Sequence, residues 1–161
     1  SFKIEGRMKT ALYVATVART YRKAIDDYME SEEKYRANME YYKREIAKCT
    51  YRQFTTGFYF GKTDSESQIY DSNTYVKNYT YIGTVREVTP DGCVCFEQKN
   101  KFLVGEKLEA MGFDGTNIEC EVQAIYDEKE NSMDSAPHPK QKLRVKLDKE
   151  LETGIILRRK E

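Results

Sequence analysis

Residues 79–98 read YTYIGTVREVTPDGCVCFEQ, which predicts two β-strands joined by a tight turn. The turn is TPDG, Thr89–Gly92, where proline and glycine occupy the positions that a type I turn with a following bulge favours. A second turn signal, FDG, lies at Phe113–Gly115. Around these turns the sequence predicts six short strands without an intervening helix, near residues 79–88, 92–98, 106–111, 117–127, 141–148 and 155–159. We expect a small six-stranded β-barrel, because closure removes the exposed edges of a sheet.

The segment that precedes these strands has the periodicity of helices. Between residues 11 and 29 apolar side chains recur at steps of three and four, which predicts an amphipathic helix. Ser31 is a favourable N-cap for a second helix, and Glu32 and Glu33 lie in its first turn, where the helix dipole favours carboxylates. The sequence therefore predicts an α+β protein with an N-terminal helical segment followed by the barrel.

The first residues predict one further element, a strand. Apolar and charged residues alternate over FKIEG, residues 2–6, before the helical pattern begins. A single strand cannot satisfy its own backbone groups, so we expect neighbouring strands from a larger α/β domain of which this chain is the C-terminal part.

Three charged residues at this position are candidates for the active site of that larger domain. In a parallel β/α barrel, catalytic residues lie where strands end and loops begin, which is the place of Lys3, Glu5 and Arg7 in their unit. These side chains suit the binding of an anionic substrate or acid-base chemistry. The alternative is a structural ion pair at the edge of a domain.

Aromatic residues are concentrated in the middle of the chain. More than half of its 13 tyrosines and 7 phenylalanines fall within residues 41–81, and the densest stretch is FTTGFYFG at 54–61. One interpretation is an interdomain strap whose rings are buried against neighbouring elements. The other is a platform that stacks on bases or on a peptide, with Phe54, Phe58, Tyr59 and Phe60 as the substrate-binding residues.

Composition argues against several functions. The 27 basic and 27 acidic residues give a net charge of zero, whereas a strongly nucleic-acid-binding domain usually has a basic excess. The mean hydropathy of −0.79 excludes a transmembrane segment, and the N-terminus has no signal-peptide pattern. We expect a cytoplasmic protein with no membrane partner.

The cysteines and the single histidine do not predict a catalytic or metal site. Cys93 and Cys95 lie on the same face of a strand, but a metal would need about two more ligands at matching spacing. His138 lies in an APHP loop, and no nucleophile motif accompanies it. We expect the cysteines to be packed strand residues and no metal to bind this chain.

Several separated motifs resemble a known family. They are KIEGRMK at 3–9, YVATVARTYRKAIDDY at 13–28, RQFTTGFYFGK at 52–62, KNKFLVGEKLEAM at 99–111, APHPKQ at 136–141 and ILRR at 156–159. Together and in this order they resemble the C-terminal portion of peptidase family U32, the collagenase-like peptidases.

The resemblance implies an architecture for the chain. The family is similar to a TIM-type barrel followed by a small C-terminal β-barrel like domain II of elongation factors. Residues 1–52 would then be the tail of the catalytic domain, 53–78 an aromatic-rich interdomain strap and 79–161 the C-terminal barrel. The upstream catalytic domain would be the partner of this chain, and any iron-sulfur cluster of the parent would be bound upstream, because Cys49, Cys93, Cys95 and Cys120 match none of the family's ligand positions.

The resemblance leaves the chemistry of the parent open. Some members are described as collagen-degrading peptidases, and others are needed for prephenate-dependent hydroxylation of tRNA or ribosomal RNA. We expect a fragment that is inactive alone, whose barrel binds or positions a polypeptide or RNA for a catalytic site elsewhere. A purely structural or dimerising barrel is a third alternative.

Overall fold

Three helices form the N-terminal part of a computed structural model that describes residues 3–49, 56–64 and 78–161. They are α1 (Ala11–Glu30), α2 (Glu32–Ala37) and α3 (Met39–Ile46). The hydroxyl of Thr10 caps α1 by accepting from the amide of Tyr13, and the hydroxyl of Ser31 caps α2 by accepting from the amide of Lys34. The predicted N-cap at Ser31 is thus confirmed. In the described ranges no helix combines the length and the apolar character needed to cross a bilayer.

The second predicted helix is divided in two at Asn38. This residue ends α2 with φ −91° and ψ 5°, and its side-chain amide donates to Asp27 of α1 at 3.1 Å. The hydroxyl of Tyr42 in α3 donates to the same carboxylate at 2.6 Å. Burial raises the pKa of Asp27, but the hydrogen bonds from Tyr42, Lys23 and Asn38 outweigh it, and the net pKa is lowered. The ionised Asp27 therefore binds the three helices together.

The remainder of the chain is antiparallel sheet. The strands are β1 (Tyr79–Thr84), β2 (Glu87–Val88), β3 (Val94–Glu97), β4 (Phe102–Leu103), β5 (Lys107–Met111), β6 (Asn117–Tyr126), β7 (Ser132–Met133), β8 (Ser135–Ala136), β9 (Lys142–Leu147) and β10 (Ile156–Lys160). Within the described residues the main sheet has the order β1-β10-β5-β6-β9-β3-β2, with β7 on β6, and β4 pairs with β8. The α+β class is thus confirmed, with helices first and strands after.

The predicted count of six strands is wrong, because one predicted strand is divided and short strands were missed. Residues 79–88 form β1 and β2, and the chain changes partner between them: the amide of Val85 donates to Ile155, and the amide of Arg86 donates to Cys95. β4, β7 and β8 are two-residue strands within segments predicted as connections. The TPDG turn is confirmed by the hydrogen bond from the amide of Gly92 to Thr89 and by the positive φ of Gly92.

The side chains of the described strands enclose one hydrophobic core. Apolar side chains alternate with exposed ones along the strands, as the period of a strand requires. The fully buried members include Ile82, Val85, Val94, Phe102, Leu108, Val122, Ile125, Val145 and Leu157.

The predicted strand at the beginning of the chain is not formed in the described residues. Lys3–Gly6 has no strand assignment, and a turn follows before α1 begins. A strand needs a partner for its backbone groups, and no described strand lies beside this segment. The side chain of Ile4 is 43% exposed.

Candidate functional site

The three charged residues predicted near the N-terminus lie on the surface. Lys3, Glu5 and Arg7 are all exposed. The carboxylate of Glu5 accepts a hydrogen bond from the backbone amide of Arg7 at 3.0 Å. In the described residues no ion pair joins these side chains, so the structural ion pair is not observed. Their role in a catalytic site stays a prediction.

The predicted aromatic residues form an exposed turn, which we call the aromatic turn (residues 56–61). The amide of Tyr59 donates to Thr56 at 3.0 Å, and the amide of Gly61 donates to Phe58 at 3.2 Å. The exposed fractions of Phe58, Tyr59 and Phe60 are 77%, 84% and 81%. These three rings are exposed in the described part of the chain, and Phe54 lies outside it. The strap and the substrate-binding platform both stay predictions.

The strongest polar feature of the structure was not singled out from the sequence. We call it the junction cluster, and it joins the helices to the sheet: Arg19, Glu45, Lys48, Glu109 and Arg158. The carboxylate of Glu45 in α3 forms salt bridges with three cations. Its oxygens lie 2.7 Å from a side-chain nitrogen of Arg19 in α1, 2.7 Å from that of Lys48 and 3.0 Å from that of Arg158 in β10. The side chain of Arg158 has no exposed surface. Its Nε also donates to Glu109 of β5 at 2.7 Å.

Further contacts connect the junction cluster with the turn between β5 and β6. Arg19 donates to the carbonyl oxygens of Gly112 at 3.0 Å and Thr116 at 3.1 Å. Asn117 accepts from Arg19 at 3.0 Å and donates to Glu45 at 2.8 Å. Tyr41 of α3 donates to the carbonyl of Gly115. Five hydrogen bonds therefore orient this turn of the sheet against α1 and α3.

The electrostatics of the junction cluster keep Glu45 ionised. Burial raises its pKa, but hydrogen bonds and charge from Lys48 and Arg158 outweigh burial, and the net pKa lies below the ordinary value. Burial lowers the pKa of Arg19 despite the nearby carboxylate of Glu45. Each charge has an opposite charge in contact, as buried ions require.

A second feature missed by the sequence analysis is a groove on the sheet, which we call the basic groove. It encloses about 370 Å³ and is lined by Tyr81, Thr84, Arg86, Phe96, Glu97, Lys99 and Lys142. Three of these side chains are cations and one is an anion. The only signal in the sequence was the alternation of charged residues along predicted strands, which ordinary solvent-exposed faces share.

The described thiols and the histidine do not form a hydrolytic site or a site that binds a metal cluster. Burial raises the pKa of Cys49, Cys93 and Cys95, and raises that of Cys120 to about 12, so all four favour the thiol over the nucleophilic thiolate. Among the residues that the structure describes, no three His, Cys, Asp or Glu side chains are grouped as metal ligands. These cysteines do not fit an iron-sulfur cluster, and His138 lies in an exposed loop.

Both parts of the chain match family models. The model for the peptidase family U32 C-terminal domain matches residues 77–158, and the model for peptidase family U32 matches residues 1–69. The chain therefore belongs to peptidase family U32.

Relatives in this family carry two kinds of name. A Bacillus subtilis relative named tRNA hydroxylation protein P1 is 35% identical over 160 residues, which are 99% of this chain and 38% of the relative. A Methanocaldococcus jannaschii relative named as an uncharacterized protease is 47% identical over 60 residues, which are 37% of this chain and 14% of the relative. This chain thus spans well under half the length of either relative.

A solved structure resembles part of the chain. It is the C-terminal domain of a Geobacillus thermoleovorans protein described as a U32 peptidase, with 28% identity and a TM-score of 0.45. The match covers 50% of this chain and 99% of that domain.

Proposed function

We propose that this chain is part of an enzyme that hydroxylates tRNA, and that its role there is to bind and position the RNA. The observation that carries the proposal is the resemblance to a tRNA hydroxylation protein over 99% of the chain, across both matched parts of the family. The catalytic chemistry would belong to the rest of the protein. This chain alone is expected to have no turnover.

The proposed architecture is a helical tail of the catalytic domain, residues 1–52, a strap, 53–78, and a closed barrel, 79–161. The positions of β1 and β2 support closure, because these consecutive strands form the two ends of the sheet order, where β1 pairs with β10 and β2 pairs with β3. When one continuous segment supplies both ends of a sheet, the sheet closes on itself and its edges are not left free.

The aromatic turn is the proposed site for nucleobases. Its three rings are exposed, and the glycines on either side, Gly57 and Gly61, adopt positive φ angles that other residues rarely take. Exposed aromatic rings bind bases by stacking, whichever base is presented.

The second candidate function is a peptidase, since the relative with 47% identity is named as a protease. In that case the aromatic turn would bind a polypeptide.

Binding measurements on the chain test its role. Labelled tRNA is titrated with the wild-type chain and with Phe58→Ala and Tyr59→Ala variants, and each lost ring is expected to weaken binding about 10-fold. Phe113→Ala is the matched control, because Phe113 is also an exposed phenylalanine at 66%. The proposal would be contradicted if the chain did not bind tRNA but bound denatured collagen with an affinity that depends little on salt. That result would favour the peptidase.

A further inference from the structure

The basic groove concentrates positive charge on a chain that has none overall. Its cations are Arg86, Lys99 and Lys142, and its one carboxylate is Glu97. A third lysine, Lys140, also acts on this carboxylate, since the charges of all three lysines contribute to the lowered pKa of Glu97. The net charge of the whole chain is zero, so this surface is a local feature and not the result of composition.

Much of this charge is available to a ligand. Arg86 is exposed, and its side chain has no hydrogen bond or ion pair with the described residues. Lys142 is 74% exposed and lies 3.6 Å from Glu128, which is a loose pair. Lys99 alone is closely paired, with Glu97 at 2.5 Å. Exposed pairs of this kind contribute little energy, so a stronger anion can displace Glu97 or Glu128.

The backbone that carries the cations is held by hydrogen bonds of the sheet. The amide of Arg86 donates to Cys95, and the amide of Lys99 donates to Ile82, both at 2.8 Å. Lys142 is paired with Glu97 in the register of β9 and β3. Ligand binding would therefore order only the ends of long side chains and would not require the sheet to move.

We propose that the basic groove binds the sugar-phosphate backbone of RNA. The proposal rests on the proposed function, because it takes tRNA as the substrate, and it adds a second contact surface to the aromatic turn. Several cations at or beside the ends of β1, β3 and β9 match a polymer with regularly repeated phosphates, and phosphate contacts position a nucleic acid without reading its sequence. Tyr81 and Thr84, whose hydroxyls lie 2.7 Å apart at the groove, add hydrogen-bonding groups for sugar or phosphate oxygens.

The test is the salt dependence of tRNA binding by the full chain. Labelled tRNA is titrated at several salt concentrations with the wild type and with the triple variant Arg86→Gln, Lys99→Gln, Lys142→Gln. Each phosphate contact contributes about 0.7 to 0.9 to the slope of log affinity against log salt, so the slope is expected to fall by about 2. The affinity at 0.1 M salt is expected to fall on the order of 100-fold.

Two controls separate the groove from net charge and from folding. The variant Lys43→Gln, Lys107→Gln, Lys149→Gln removes the same charge from exposed lysines elsewhere and is expected to leave the slope unchanged. The variant Arg86→Lys, Lys99→Arg, Lys142→Arg keeps the charge and is expected to retain binding.

Three results of the binding measurements would overturn the proposal. One is an equal loss of affinity in the groove variant and the matched control, and another is no loss in either. The third is displacement of tRNA by poly-glutamate at equal charge concentration, which would assign the groove to acidic polypeptides. The full protein can also be tested with the groove substitutions. If it still hydroxylates tRNA normally, the groove does not bind the RNA, whereas the proposed function is unaffected.

Discussion

At the scale of single residues, Arg158 decides how the helices and the sheet are joined. It is fully buried in β10 and shares Glu45 with Arg19, so one carboxylate of α3 holds cations from both parts of the chain. A buried ion cluster is weak evidence for stability in itself, because desolvation offsets the attraction. Breaking the cluster is costly, because removing one partner leaves an opposite charge buried without compensation.

Removal of Arg158 is expected to be costly. Arg158→Met would leave Glu45 and Glu109 without one of their cations and is expected to lower the free energy of unfolding by about 3–5 kcal/mol. Arg159→Met is the matched control, because the neighbouring Arg159 is 27% exposed and pairs with Glu106. That change is expected to cost no more than about 1 kcal/mol. Urea unfolding measures both, and equal small losses would show that the junction cluster does not hold the two parts together.

Glu45 gives the fold an acid-sensitive contribution. Its folded-state pKa lies below the ordinary value of 4.5, so the stabilisation is fully present above about pH 4.5. It is lost as the pH falls through the folded-state pKa, because protonation is easier in the unfolded chain. The free energy of unfolding of the wild type is therefore expected to fall more steeply below pH 4.5 than that of Glu45→Gln. Parallel pH profiles, measured by urea unfolding, would contradict this assignment.

Sequence reasoning at this scale depends on side chains whose type alone carries a signal. The clustered aromatic residues of 58–60 are such a signal, and they are exposed, while their binding role stays a prediction. Glu45 and Arg158 were missed because each is next to another charged residue, Arg44 or Arg159, and so resembles a residue on a solvated face. Their role is visible only in the structure, where these two residues are in contact although they are 113 positions apart in the sequence.

At the scale of elements, local signals predicted where the helices and turns begin. The cap at Ser31 and the turn at Thr89–Gly92 depend on neighbouring residues alone, and both are present. The break at Asn38 depends on Asp27 of another helix, and the division between β1 and β2 depends on which strands lie on either side. Neither could be obtained from local periodicity.

Gly83 is expected to be essential for the bend of β1. The register of β1 against β10 shifts between Tyr81 and Gly83, and a Cβ added at Gly83 would overlap the buried ring of Phe96 and lie 3.1 Å from the carbonyl of Glu97. Gly83→Ala is expected to lower the free energy of unfolding by about 1–3 kcal/mol.

A double-mutant cycle identifies the cause of that loss. Phe96→Leu shortens the overlapping side chain, so the two changes together should cost less than the sum of their separate costs. Additive costs would mean that the carbonyl of Glu97, and not the ring, prevents a side chain at this position.

At the scale of the whole molecule, the sequence gives the order of parts but not their contacts. Helices followed by antiparallel strands were predicted from periodicity, and membership of peptidase family U32 agrees with the motifs quoted from both parts. The junction cluster and the basic groove each combine side chains from distant segments. Such sites arise from topology, and a pattern within one segment cannot contain them.

Hydroxylation of tRNA is the activity that we propose for the protein containing this chain. Mass spectrometry of nucleosides from purified tRNA, in cells with and without the gene, measures this activity directly. A nucleoside one oxygen atom heavier than its unmodified form is expected to disappear on deletion and to return when the intact gene is supplied. An unchanged set of tRNA nucleosides, together with loss of a peptide-cleaving activity in the deleted cells, would contradict it.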